Sequence, residues 1–180
     1  MATQFNELRP GIIDFIKEQK IFFVGTEADT GSVNVSPKGM DSLRVIDSKT
    51  VAWLNLTGSG NETAAHLLIN NRMTIMFCAF KEPPLILRLY GTATNYYVDH
   101  PKYNQYKNLF PETPGSRQIL ILDIDMVQTS CGYGVPLMNY ETDRTRLKEW
   151  AAAKDSENLK AYWAKKNTAS IDGFDTEILK

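Results

Sequence analysis

The sequence contains few of the residues that build cross-linked or metal-bound sites. It has two cysteines, Cys78 and Cys131, and two histidines, His66 and His100, among 180 residues. Two cysteines in a chain of this length are too few for a disulfide framework, and their spacing from the histidines does not match a zinc site. Local motifs of a Ser-His-Asp triad, a dinucleotide-binding turn or a Walker loop are also missing. The sequence therefore predicts no metal site and leaves any catalytic residue unknown.

A charge excess and a long apolar run are missing as well. The 20 basic and 21 acidic residues give a formal net charge of -1, so no overall field attracts nucleic acid or an anionic membrane. The apolar runs stay well below the roughly 18 residues of a membrane span, and the first residues do not resemble a secretion leader. We expect a cytoplasmic protein without nucleic-acid or membrane partners, in which any anion site is local.

The apolar pattern indicates strands in the first two thirds of the chain and helices at the end. The β-rich runs are KIFFVGTE, VNVS, LRVID, VAWLNL, MTIMFCAF, LILRLYGTATNYYV and RQILILDIDMVQTS. A short helix is predicted at residues 61–70, where Asn61 can cap the first turn, and residues 142–180 predict a helical extension that starts again at Asp155 or Ser156. We predict one α+β domain over residues 1–180, an antiparallel barrel of about six strands with peripheral helices.

A glycine-rich turn precedes the short helix. The N-terminus of a helix carries unpaired N–H groups and a partial positive charge. Gly58 and Gly60 let an anion approach the backbone, and Thr57, Ser59 and Thr63 offer hydroxyl groups. These features predict a phosphate site, although the same residues would also suit an ordinary loop before a capped helix.

The strand VNVS ends on Ser36, Pro37 and Lys38. If this strand lies beside WLNLT in the same meander, Lys38 and Ser36 face the same opening as Thr57 and Ser59. A lysine there adds a full positive charge to the donors at the helix end. The alternative is a solvated lysine at the end of a strand, as most lysines are.

Two further polar residues have structural interpretations. Arg88 lies inside the apolar run LILRLYG, where an unpaired cation is costly, so we expect a partner carboxylate from Asp123 or Asp125 on a neighbouring strand. His66 would follow Glu62 by one helical turn, so the two residues are expected to pair on the protein surface.

Several segments together resemble a known family. FFVGTEADTGSVNVSPKG, VAWLNLTGSGNETAAHLLINNRMTIMFCAF and ILRLYGTA are similar to the pyridoxamine 5'-phosphate oxidase-like, FMN-binding split-barrel family. CGYGVP and NTASIDGF resemble the C-terminal part of an uncharacterised subgroup. The resemblance covers about residues 10–175. It implies a six-stranded antiparallel split β-barrel that forms a homodimer, with two FMN molecules at the interface, each contacted by both chains.

The resemblance also implies which residues hold the cofactor. The phosphate would be bound by Lys38 with Ser36 and by the small polar residues before and at the start of the short helix. The isoalloxazine would run along the strands that carry Val35 and Leu56. The predicted cofactor-binding set is Val35, Ser36, Pro37, Lys38, Leu56, Thr57, Gly58, Ser59 and Thr63.

The expected function is that of an FMN-dependent oxidoreductase acting on a small organic molecule. Pyridoxamine phosphate is not the expected substrate, because Asn61 and Glu62 stand where the oxidases carry two cations, and no histidine follows His100. One alternative is a dimer that binds FMN or another flat anionic ligand, such as a deazaflavin or a haem-type ligand, without turnover. Another is a structural or partner-binding dimer whose cofactor pocket no longer binds a ligand.

Overall fold

The structure is a computed structural model that describes residues 2–180. Its strands are β1 (Thr3–Phe5), β2 (Phe22–Thr26), β3 (Asn34–Lys38), β4 (Leu43–Val45), β5 (Thr50–Leu56), β6 (Arg72–Cys78), β7 (Ile86–Tyr97) and β8 (Ser116–Ser130). Its helices are α1 (Pro10–Glu18), α2 (Glu62–Ile69), α3 (Pro101–Tyr106), α4 (Arg146–Ala152) and α5 (Ser156–Lys166), and one 3-10 turn spans Lys107–Leu109.

All strands join one antiparallel sheet in the order β3-β2-β6-β7-β8-β5-β4, and β1 pairs with the end of β8. This curled sheet confirms the predicted α+β split barrel. The sheet has eight strands, whereas about six were predicted. The three-residue strands β1 and β4 extend the sheet beside β8 and β5.

The strands alternate between two apolar clusters, as period-two patterning requires. On β8, Leu120 and Leu122 join the main cluster, whereas Ile119 and Ile121 join the second cluster. Helix α1 covers the main cluster and α3 contributes Tyr103 to the second. We call the side of the sheet that carries the main cluster its inner face, and the other side its outer face.

The register between β2 and β3 determines which side chains of β3 point inward. Ser36 lies opposite Val24, a fully buried member of the main cluster, so Ser36 shares the inner face. Asn34 and Lys38 follow by alternation and are half-buried, whereas Val35 is 64% exposed on the outer face. The strand therefore presents polar groups to the interior and an apolar edge outside.

The structure corrects the expectation for His66. Its side chain is 1% exposed, and Nδ1 lies 3.2 Å from the Thr26 hydroxyl oxygen. Helix α2 packs on β2, so this side of the helix faces the interior rather than the solvent. Glu62 instead accepts a hydrogen bond from the backbone N–H of Ile171 at 2.9 Å.

The expected carboxylate partner of Arg88 is also wrong. Arg88 lies opposite Gln128 in the β7–β8 register and donates to the Ser130 hydroxyl at 3.3 Å. A bulge between Tyr90 and Gly91 shifts the register before Asp123 is reached, and Asp123 is exposed opposite Thr92. Arg88 therefore bonds a neutral hydroxyl group, and neither Asp123 nor Asp125 forms an ion pair with it.

The C-terminal extension is helical, as predicted, and its second helix starts at the expected position. The Asp155 carboxylate caps α5 by accepting from the Asn158 N–H at 2.8 Å. After α5 the chain runs back over the turn that leads into α2. None of the helices between residues 2 and 180 combines the length and the apolar character that crossing a membrane requires.

Candidate functional site

Strand β3 and helix α2 meet through a side-chain hydrogen bond. The Asn34 amide donates to the hydroxyl oxygens of Thr26 at 3.2 Å and Thr63 at 3.3 Å. This contact brings the inner face of β3 against the first turn of α2. The predicted position of VNVSPK beside WLNLT is wrong, because β3 pairs with β2 at one end of the sheet and β5 lies between β8 and β4. Strand β3 instead meets the start of α2 through Asn34, a residue that sequence analysis did not identify.

Lys38 points into the barrel rather than into solvent. Its ammonium nitrogen lies 5.1 Å from the centroid of the Trp53 ring, and Trp53 is itself buried in the main cluster. Burial, and then repulsion from Arg117, lower the pKa of Lys38 from 10.5 to about 8. Ser36 lies beside it on the inner face, and its buried hydroxyl has no hydrogen-bond partner among residues 2–180.

Arg117, at the start of β8, is a second interior cation. It is 2% exposed, and its Nη1 donates to the Gly60 carbonyl at 3.0 Å and to the Asn167 side-chain oxygen at 2.9 Å. Burial lowers the pKa of Arg117 to about 10, and the phenols of Tyr97 and Tyr162 partly offset this effect. Within the described part of the chain, no carboxylate pairs with it.

Sequence analysis missed Arg117 because its local signal is weak. The residue opens the strand run RQILILDIDMVQTS, where a polar residue is expected at the strand start. Its partners Gly60 and Asn167 come from two distant segments, so neither periodicity nor a motif could have joined them. The one sequence signal for Arg117 is a basic residue at the start of a strand, which does not by itself indicate a contact with the glycine-rich turn.

The C-terminal extension fixes the glycine-rich turn. The Asn167 amide donates to the Gly58 carbonyl at 3.1 Å while its oxygen accepts from Arg117. The carbonyls of Gly58 and Gly60 are thus both held by interior donors. Asn61 occupies the N-cap position of α2, but its side chain bonds Tyr97 and Gln118 and does not cap the helix, which corrects the expected role.

Thr57 is engaged in the protein interior. Its hydroxyl donates to the Gly115 carbonyl at 2.8 Å and accepts from the indole N–H of Trp163 at 2.9 Å. The residue is 1% exposed. A phosphate contact from Thr57 would require this arrangement to change, so that contact stays a prediction from the sequence.

The remaining predicted residues lie on different surfaces. Val35 and Pro37 are exposed on the outer face, and Leu56 packs against the second cluster on the same side of the sheet. Ser59 is exposed at the turn and Thr63 is buried beneath it. The predicted set therefore separates into an inner cationic part, an outer apolar part and the turn between them.

A separate apolar groove of about 800 Å³ lies between α1, the loop that joins β6 to β7, and residues 138–140. Its apolar lining includes Phe15, Ile21, Phe80, Pro83, Leu85, Met138 and Tyr140. The described lining contains none of the predicted cofactor-binding residues. The groove is thus distinct from the site around Lys38.

Residues 8–131, and the chain as a whole, are similar to known proteins. The sequence profile described as "Pyridoxamine 5'-phosphate oxidase" matches residues 8–131. The pyridoxamine 5'-phosphate oxidase family protein ustO of Aspergillus flavus is 35% identical over 191 aligned positions, which cover 96% of this chain and 77% of that protein.

Solved structures share the fold at low sequence identity. HupZ of Group A Streptococcus has a TM-score of 0.51 and 20% identity, and the match covers 66% of this chain and 91% of that chain. A Clostridium acetobutylicum protein related to general stress protein 26, of the pyridoxinephosphate oxidase family, has a TM-score of 0.50 and 16% identity, with coverage of 74% and 92%. These similarities concern the fold alone.

Proposed function

Because the chain belongs to the pyridoxamine 5'-phosphate oxidase family, we propose that it binds FMN and acts as an FMN-dependent oxidoreductase on a small organic molecule. The observation that carries this proposal is the inner cationic part of the site. Lys38 is a desolvated ammonium group against the Trp53 ring, the charged group that shifts its pKa is the cation Arg117, and no carboxylate in residues 2–180 pairs with it. Such a group is costly in the empty protein and is stabilised by an anionic ligand.

The residues present fit a phosphate-bearing flavin. Lys38 supplies a charge-assisted donor, and Ser36 supplies a buried hydroxyl that lacks a partner among the described residues. The exposed side chain of Val35 offers apolar surface to a planar ring on the other face of the same strand. A ligand with an anionic end and a flat apolar body matches both faces of β3.

The work of this chain is to bind and orient. FMN, when bound, supplies the redox chemistry, namely hydride or electron transfer. Lys38 and Ser36 would hold the phosphate, while Val35 and Leu56 would lie along the ring. A substrate other than pyridoxamine phosphate remains part of the proposal, because the residues after His100 include no histidine.

We also propose a homodimer with the cofactor at its interface. Two exposed side chains of the β3 region, Val33 at 67% and Val35, form an apolar surface on an edge strand. Ile171 is a third exposed apolar side chain, at 82%. It lies near β3, because the carboxylate of the adjacent Asp172 accepts from the backbone N–H and the hydroxyl of Ser32 at 2.8 and 3.1 Å. An apolar edge of this kind supports association with a second copy. The cytoplasmic location stays a prediction from the sequence.

The test is to identify the ligand that copurifies and to titrate the ligand-free protein with FMN. The expected result is a yellow protein that takes up FMN in a 1:1 ratio per chain and bleaches with NADH or NADPH, then regains its colour in air. A colourless protein that takes up no FMN overturns the proposal. A protein that binds FMN but is reduced by neither NADH nor NADPH supports the alternative of a non-catalytic dimer for flat anionic ligands.

A further inference from the structure

Arg117 has the features of a ligand-binding residue that the proposed site does not yet include. We infer that Arg117 is a second phosphate-binding cation of the site around Lys38, and that Asn167 of the C-terminal extension is the residue that positions it. The inference rests on the proposed function, which it deepens by naming the cation that makes the site selective for a phosphate group.

The hydrogen bonding of Arg117 leaves donors available. A guanidinium group has five N–H donors, and the contacts of this one to Gly60 and Asn167 both use Nη1. Its Nε is buried and has no partner among residues 2–180. A buried donor without a partner is costly, and a charged one more so. An anion that reached the guanidinium would satisfy donors that the fold leaves open.

The charges around Arg117 favour a ligand with more than one negative charge. Arg117 repels Lys38 strongly enough to contribute to the lowered pKa of that lysine. The groups that favour the charged guanidinium are the phenols of Tyr97 and Tyr162, not carboxylates. A phosphate monoester carries between one and two negative charges at neutral pH and can neutralise both cations, whereas a carboxylate would leave one of them uncompensated.

Asn167 sets the position of the guanidinium. It is fully buried, its amide oxygen accepts from Arg117, and its amide nitrogen donates to Gly58. Its own backbone carbonyl accepts from the Thr176 hydroxyl at 2.6 Å, which anchors Asn167 within the extension. Replacement of Asn167 by aspartate keeps an acceptor for Arg117, adds a carboxylate that would compete with the bound anion, and removes the donor to the Gly58 carbonyl.

The test compares FMN with riboflavin, which has the same ring system but no phosphate, by fluorescence titration of the full chain. We expect Arg117→Gln to weaken FMN binding roughly tenfold to hundredfold and to leave riboflavin binding within about twofold. Asn167→Asp should lower the FMN-to-riboflavin preference in the same direction. Arg72→Gln is the matched control, because Arg72 is exposed and pairs with Glu27 at 2.7 Å, and it should change neither affinity.

The outcomes separate the inference from the proposed function. Wild-type protein that binds neither flavin overturns the proposed function itself. Wild-type protein that prefers FMN, together with an Arg117→Gln variant that keeps this preference, overturns the inference alone. If Arg117→Gln does not fold, Asn167→Asp decides by the same ratio, and an unchanged ratio in that variant also overturns it. Arg117→Lys keeps the cation and should retain part of the preference for FMN.

Discussion

The cations on the surface of this protein differ from those in its interior. On the surface, Arg72 pairs with Glu27 and Lys180 with Asp175, each at 2.7 Å. In the interior, Lys38 and Arg117 have no carboxylate partner within residues 2–180, although burial makes each charge far more expensive. Folding stability alone does not explain such an arrangement, so the difference supports a ligand as the missing counter-charge.

Among variants that test whether the interior cations bind a ligand, we expect the largest loss of FMN affinity from Lys38→Met. The substitution removes a desolvated charge but keeps an unbranched apolar side chain against Trp53. We expect FMN affinity to fall by about 1.5–3 kcal/mol, as for a charge-assisted hydrogen bond, while the free energy of unfolding of the ligand-free protein rises. Fluorescence titration measures the first change and urea unfolding the second.

Lys102→Met is the control for this variant. The Lys102 ammonium lies 5.3 Å from the centroid of the Tyr96 ring, a contact like that of Lys38, but the side chain is exposed. Neither FMN affinity nor stability should change by more than about 0.5 kcal/mol in this variant. A Lys38→Met protein that loses stability without losing FMN affinity would show that Lys38 serves the fold rather than a ligand.

A second prediction concerns Thr57, where the sequence and the structure suggest different roles. Thr57→Val leaves the buried indole N–H of Trp163 without its acceptor and removes one of the two hydrogen bonds that the Gly115 carbonyl accepts, since the backbone N–H of residue 57 keeps the other. We expect the free energy of unfolding to fall by about 1–3 kcal/mol and the FMN-to-riboflavin preference to stay unchanged. A preference that disappears in a folded variant would instead assign Thr57 to the phosphate, as the sequence predicts.

The elements of the fold were predictable because their signals are local. Alternation of apolar residues identified the long strands, the turn residues separated them, and Asp155 marked the start of α5. Strand β1 was not predicted, since TQF is three residues long and gains its structure only by pairing with β8. Short strands depend on their partner rather than on their own sequence.

The site was predictable only in part, because its decisive contacts join distant segments. The turn before α2 and Lys38 were identified from residue types in short stretches. The contact of Trp163 with Thr57 spans 106 residues, and that of Asn167 with Arg117 spans 50. Burial of His66 likewise depends on how α2 packs on β2, which a single helical turn of sequence does not reveal.

The smallest expected effect is a pH dependence that distinguishes an interior lysine from a surface one. In the ligand-free protein the pKa of Lys38 is about 8, and a bound phosphate favours the ammonium form and so raises it. FMN affinity should therefore be close to its full value at pH 7 and fall as the pH rises through 8, by about tenfold between pH 7 and pH 9. Riboflavin corrects for ionisation of the ring. If the FMN-to-riboflavin affinity ratio of the wild type does not change with pH, as in Lys38→Met, Lys38 is not part of the phosphate site. A lysine that binds the phosphate must lose affinity for FMN when it loses its proton.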